Sequence, residues 1–212
     1  MPRSLSGVGA ILPKVVSGCT FAGGPVNNTS ANIYLIGPMG SGKTTIGQRL
    51  AKRLCREFLD NDHELQEQTG ASVSLIFDLE GEEGFRKRET AMLKQLTARN
   101  NVVLATGGGT ILAPENRELL ASTGTVVYLR TSVTQQIKRL SRDKTRPLLQ
   151  SGDRKEKLIR LADERNPLYE ELAHVTFQSR SRSLDGATEA LYQKIMAYWN
   201  KLNTSDSGRT ES

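Results

Sequence analysis

The apolar positions fall into short β-branched runs separated by longer stretches with helical spacing. Ile33 to Ile36 predicts a strand, and Thr44 to Leu54 a helix with Ile46, Leu50 and Leu54 on one face. A second strand ends at Phe58-Leu59. Val102 to Ala105 and Val126 to Leu129 read as strands buried on both faces, and His174 to Phe177 as a weaker fifth. Helices fit the gaps at Glu82 to Ala98, Ala113 to Ser122, Ser132 to Ser141, Lys155 to Ala173 and Gly186 to Lys201. Strand and helix alternating in this way predict an α/β domain, a parallel sheet covered on both sides. No internal repeat interrupts it. Met1 to Asn32 carries only Arg3 and Lys14 as charges and no sustained period, so it reads as a disordered leader, with an organelle-targeting peptide as the second reading because acidic residues are absent. Asn203 to Ser212 is expected to fray, which leaves residues 33–202 as the folded unit.

The first strand runs directly into Gly37-Pro38-Met39-Gly40-Ser41-Gly42-Lys43-Thr44, a G-x-x-x-x-G-K-[ST] pattern in its proper strand-to-helix setting. Glycines let backbone N–H groups turn inward around a phosphate, and the helix N-terminus adds partial positive charge. Lys43 can reach β- and γ-phosphates, and the Thr44 hydroxyl suits Mg²⁺. The nucleotide-binding stretch is therefore Gly40, Ser41, Gly42, Lys43, Thr44 and Thr45.

Acceptor residues must come from the carboxyl ends of the other strands. Asp60-Asn61-Asp62 places two carboxylates on one side if the backbone stays extended, one for Mg²⁺ and one for a hydroxyl proton; an Asx turn capping a helix near His63 is the competing reading. Arg86 and Glu89, at i,i+3, form either a preformed fork for a carboxylate or a solvated surface pair. Thr106-Gly107-Gly108-Gly109-Thr110 follows the third strand, and three successive glycines suggest backbone laid against a ligand rather than packing. Pro147 stiffens a loop around Arg146, which suits a lid over about 144–154, and Pro167 is expected to kink or break its helix just after Arg165.

The charge changes one part of this picture. The chain has 212 residues with a formal net charge of +6. Nine basic residues against three acidic ones between Lys138 and Arg160 carry a surplus of that size, so the remainder is balanced. One local basic segment without interleaved aromatics reads as a clamp for a small polyanion, not as a nucleic-acid track. No apolar run reaches the roughly 20 residues that span a bilayer, and two cysteines cannot build a disulfide framework. The expectation is a cytoplasmic protein with neither a membrane nor a nucleic acid as partner.

The phosphate loop, D-x-D, G-F-R-x-x-E, G-G-G, R-P-L-L and R-x-P-L-Y occur here in that order, and together they resemble the shikimate kinase family from about Ile33 to Leu202. The resemblance implies a three-layer P-loop kinase fold with a five-stranded parallel sheet, helices on both faces and a mobile lid. It implies ATP with Mg²⁺ as donor, transfer of the γ-phosphoryl group to the 3-hydroxyl of shikimate, and a monomer. Carried over position by position, Asp62, Arg86, Gly107, Gly108, Gly109 and Arg165 match the shikimate-binding residues. Lys43, Thr44 and Arg146 match the phosphate, magnesium and lid positions, with Lys43, Asp62 and Arg146 catalytic. Thr44 and Asp60 match the metal side. Arg139 falls where the family often packs an arginine against adenine, and a further nucleotide contact is expected near Gln178 to Arg182. Independently of the family, a hydroxylated carboxylate needs cations for its acid and an Asp for an alcohol, which Arg86, Arg165 and Asp62 supply. A kinase for gluconate or another sugar acid, and a non-catalytic ligand sensor on the same fold, are the alternative readings.

Overall fold

The computed structural model describes residues 31–141, 153–179, 181 and 183–207. Five strands, β1 (Asn32–Ile36), β2 (Glu57–Asp60), β3 (Val102–Ala105), β4 (Gly124–Leu129) and β5 (Val175–Phe177), form one parallel sheet in the order β2-β3-β1-β4-β5. Helices α1 (Lys43–Leu54), α2 (Asn61–Thr69), α3 (Val73–Thr97), α4 (Pro114–Thr123), α5 (Val133–Leu140), α6 (Arg154–Leu172) and α7 (Leu184–Ser207) connect or follow them, with a 3₁₀ turn at Thr110–Leu112. All five predicted strands form. β1 begins at Asn32, inside the expected leader, and α7 continues through the first half of the expected tail.

Side-chain alternation along the strands creates two apolar layers. Ile33, Leu35, Val103, Val127 and Leu129 face α1 and α7, packing on Ile46, Leu50, Leu191, Ile195 and Trp199. Tyr34, Ile36, Val102, Leu104, Val126 and Tyr128 face the other way, onto Leu65, Phe85, Leu93, Leu96, Leu120 and Tyr169. Each of the larger side chains contributes about 1.5–3 kcal/mol by leaving water, so both sheet faces are committed and every strand is held in register. The loops at the carboxyl ends of β1, β2 and β3 are thereby gathered at one edge of the sheet.

Two helices differ from expectation. α3 begins nine residues before Glu82, and its first segment is joined to the predicted one across Gly81, whose φ of 69° breaks the helical run. The apolar stretch Val73 to Phe77 lacks the spacing of a surface helix because it packs under α2 and the cleft wall. Pro167 does not break α6, which runs continuously to Leu172. The missing N–H forfeits one bond, but buried Tyr169 and Leu172 beyond it anchor the last turn to the core.

At the sheet's far edge His174 and Val126 exchange hydrogen bonds. The Val126 N–H donates to His174 Nδ1 at 3.0 Å, and the His174 N–H to the Val126 carbonyl at 3.0 Å, while the imidazole stacks on Tyr198. The acceptor role requires a neutral ring, and burial lowers the His174 pKa. A folded pKa below the unfolded one means stability fully present above the unfolded value of about 6.5 and lost as the pH falls through the lower, folded value. His174→Phe keeps the stack and loses the acceptor, and should be about 1–3 kcal/mol less stable near neutrality. Urea unfolding of both proteins between about pH 7.5 and pH 5 should show this gap narrowing with acidity; a constant gap would exclude the imidazole as its source.

Candidate active site

The turn from β1 to α1 is built on Gly40 and Gly42, whose φ values of 74° and 96° place them in the left-handed region, Gly42 serving as the N-cap of α1. Lys43 folds over this loop, and its Nζ donates to the carbonyls of Gly37 at 2.7 Å and Pro38 at 3.0 Å. The Thr44 hydroxyl donates to Asp60 Oδ2 at 2.8 Å, joining the phosphate loop to the end of β2. On the other side Arg139 of α5 donates to the carbonyls of Gly40 at 2.8 Å and Ser41 at 3.2 Å. The loop is thus braced from both flanks by side chains, in addition to its own turn bond from the Ser41 N–H to the Pro38 carbonyl at 3.2 Å.

The backbone does not stay extended through Asp60-Asn61-Asp62. Asp60 is the N-cap of α2, accepting from the Asp62 N–H at 3.2 Å, so the capping alternative is realised. Both carboxylates nevertheless line the same cavity, because the first helical turn buries Asn61 between them. His63, exposed and 4.0 Å from Glu67, sits at the rim.

Arg86 and Glu89 are not a solvated pair. Glu89 is 1% exposed and accepts from Arg86 Nη1 at 2.7 Å and from the Thr110 hydroxyl at 2.7 Å. Glu82 takes the other Arg86 nitrogen, Nη2, at 3.1 Å. Burial alone would lower the Arg86 pKa, but the Glu89 charge and hydrogen bond, with Glu82, reverse the sign and raise it. Arg86 is therefore a fixed cation, aimed into the cavity by a buried anion.

That pair also accounts for the glycines after β3. A Cβ on Gly107 would overlap Glu89 Oε1 and stand 3.1 Å from Asp62 Oδ1; one on Gly109 would stand 2.6 Å from the Arg86 Cζ. The expectation of ligand contact as the sole reason for this run is corrected: two of the three glycines make room for the protein's own side chains. Gly107, Gly108 and Gly109 also line the cavity.

One cavity of about 970 Å³ joins these parts. Gly40, Gly42, Lys43, Thr44, Thr45, Asp60, Asp62, Arg86, the three glycines and Arg165 all reach it. Arg165, 6% exposed, comes from the middle of α6. Ser41 and Arg139 instead line a smaller neighbouring cavity of about 120 Å³, which also meets Ser179 and Ser181 near the expected late nucleotide contact. Arg146 and residues 144–152 of the expected lid lie outside the described residues; Arg154, at its end, opens α6 and donates to the Leu140 carbonyl at 3.0 Å. Thr110, which holds Glu89, and Phe85 and Phe77, which wall the cavity, were not picked out by the sequence reading. Phe85, inside G-F-R, and Thr110, closing the glycine run, carried a signal that could have found them; Phe77 did not.

Two oxygen donors, Thr44 Oγ1 and Asp60 Oδ2, converge beside the phosphate loop. This suits Mg²⁺, which takes one or two protein oxygens and completes its shell with phosphates and water. Among the described residues no cluster of three or more His, Cys, Asp or Glu could hold a metal by itself.

The shikimate kinase family model matches residues 39–198. A shikimate kinase of Legionella pneumophila (strain Corby) is 56% identical over 148 residues, covering 70% of this chain and 85% of that protein. Among solved structures, a shikimate kinase from Acinetobacter baumannii in complex with shikimate aligns at TM-score 0.74 and 49% identity, covering 88% of this chain and 100% of that one. A gluconokinase from Sinorhizobium meliloti 1021 aligns at TM-score 0.53 and 16% identity, over 85% of this chain and 98% of that one, a likeness of fold alone. The matched span holds the Lys43 loop, the Arg86–Glu89 pair, the glycine run and Arg165, and on these grounds the chain belongs to the shikimate kinase family.

Proposed function

We propose that the chain transfers the γ-phosphoryl group of ATP to the 3-hydroxyl of shikimate, giving shikimate 3-phosphate. The observation that carries this is a single cavity with a phosphate loop at one end and, at the other, the buried Arg165, the half-buried Arg86 and an Asp. In this reading Arg86 and Arg165 bind the substrate carboxylate, and Asp62 accepts a hydrogen bond from the attacking hydroxyl. The N–H groups of Gly40 to Thr45 cradle the phosphates, and Arg139 borders the base pocket. Thr44 and Asp60 would hold Mg²⁺, which when bound supplies charge neutralisation at the phosphates.

Catalysis then rests on positioning and on meeting developing charge. Lys43 exchanges its loop carbonyls for the transferring phosphoryl oxygens, and Arg146 joins it from the basic segment. Asp62 orients the hydroxyl and takes its proton as the new P–O bond forms. In this reading the chain works as a monomer. The use of ATP supports a cytoplasmic setting in this reading. Among the described residues no helix is long and apolar enough to cross a membrane.

A coupled assay of ADP release with shikimate, quinate or gluconate tests the reading, with phosphorus NMR of the product to locate the new ester. Turnover on shikimate with phosphate on the 3-oxygen is expected. Turnover on gluconate instead would move the assignment to sugar acids, and binding without turnover would make the chain a sensor.

Lys43→Met and Arg146→Ala should each leave a folded protein whose kcat falls at least ~10²-fold, the usual worth of one preorganised donor to transition-state charge. Near-normal kcat in either would remove that residue from the chemistry.

Arg86→Lys should raise KM for shikimate by at least about tenfold and leave KM for ATP nearly unchanged, because a lysine satisfies Glu89 yet lacks the planar fork. Arg86→Ala should do the same and also lose about 3–5 kcal/mol of stability by stranding the buried Glu89 charge. Steady-state kinetics with each substrate varied, alongside urea unfolding, separate the two effects; an equal rise in both KM values would place Arg86 on the nucleotide side.

A further inference from the structure

We propose that Tyr169 is a positioning residue that ties the acceptor half of the cleft to the phosphate loop through the Gly108 carbonyl, an inference that rests on the shikimate kinase reading of this site. Tyr169 lies one helical turn beyond Arg165 on α6 and is fully buried. Its hydroxyl donates to the Gly108 carbonyl. Its ring stacks on Tyr128 of β4, with centroids 5.0 Å apart and 19° between planes, and the Tyr128 hydroxyl donates to Asn166 Oδ1 at 3.2 Å. Two phenols thus clamp α6 between the sheet and the glycine run.

Gly108 lines the cleft between two other glycines that also line it. A Cβ there would stand 3.6 Å from the Met39 nitrogen and 3.7 Å from the Gly37 carbonyl oxygen, so this backbone faces the phosphate loop across a space that one methyl group would fill. Its neighbours Gly107 and Gly109 lie against Asp62 and Arg86. One hydrogen bond therefore sets the place of a segment that faces the donor loop, the proposed base and one carboxylate-binding arginine, from a helix that carries the other arginine. Burial pushes the Tyr169 phenol well above its ordinary pKa, so it remains a donor and takes no part in proton transfer. Its value to the reaction is geometric, and phosphoryl transfer is sensitive to displacements of the reacting groups by about 1 Å.

Tyr169→Phe keeps the ring and removes only the hydroxyl. We expect KM for shikimate to rise by about tenfold and kcat to fall by about threefold, with KM for ATP unchanged within about twofold. Thr125→Val, which removes the buried 2.8 Å hydrogen bond from Trp199 Nε1 on the opposite face of the sheet, is the control: it should lower stability with no change in either KM. If Tyr169→Phe does not fold, Tyr128→Phe removes the second hydroxyl of the clamp and should raise KM for shikimate by about two- to threefold without affecting ATP. Loss of stability alone, or an equal rise in both KM values, would overturn the tie, as would an unaltered Tyr128→Phe in the fallback. A wild-type chain inactive on shikimate would instead overturn the functional reading on which the tie rests.

Discussion

A single buried carboxylate organises the acceptor side of the cleft. Glu89 is almost wholly removed from water, a state that an isolated charge could not tolerate. It is stable there because Arg86 neutralises it and the Thr110 hydroxyl fills a further lone pair. Each partner is then fixed in turn. Arg86 is denied other rotamers, Thr110 pins the 3₁₀ turn after β3, and Gly107 and Gly109 must lack side chains. The G-F-R-x-x-E and G-G-G segments, separated by a strand and much of a helix, are two halves of one electrostatic solution.

The sheet explains why that solution faces a phosphate loop. Parallel strands with both faces buried send all their carboxyl ends to one edge, so the loops after β1, β2 and β3 meet without any dedicated scaffold. Thr44 and Asp60 join the first two, and Tyr169 joins the third to α6. Charge is segregated by the same arrangement. Cations border both ends of the cavity, and the carboxylates Asp60 and Asp62 stand between them, where a metal and an attacking hydroxyl are proposed to lie.

Local chemistry was legible in the sequence, and tertiary burial was not. The phosphate loop could be read because its positive-φ glycines and Lys-Thr ending are set by neighbours in the chain, and the strands because β-branched runs buried on both faces look the same in any such sheet. The burial of Glu89 could not be read, since it depends on Thr110 approaching from 21 residues away. The expected break at Pro167 failed for the same reason: its local cost is real, but the core contacts of Tyr169 and Leu172 outweigh it. The first segment of α3 was hidden because its apolar residues face both the core and the cleft, which erases the one-sided spacing that marks a helix. Even Asp60-Asn61-Asp62 was half legible. The residue types pointed to the site, while the capping geometry that places both carboxylates there depends on where α2 begins.

The dependence of the acceptor site on Glu89 is tested most directly by calorimetric titration of Glu89→Gln with shikimate and, separately, with a non-hydrolysable ATP analogue. Glutamine preserves the shape, and its single amide oxygen can still accept from Arg86 while its NH2 group donates to the Thr110 hydroxyl, but it removes the charge that holds the guanidinium in place. The predicted result is a Kd for shikimate weakened by about tenfold or more, with the Kd for the ATP analogue unchanged. Unaltered shikimate binding, or equal weakening of both ligands, would contradict the claim that this buried charge builds the acceptor half of the cleft.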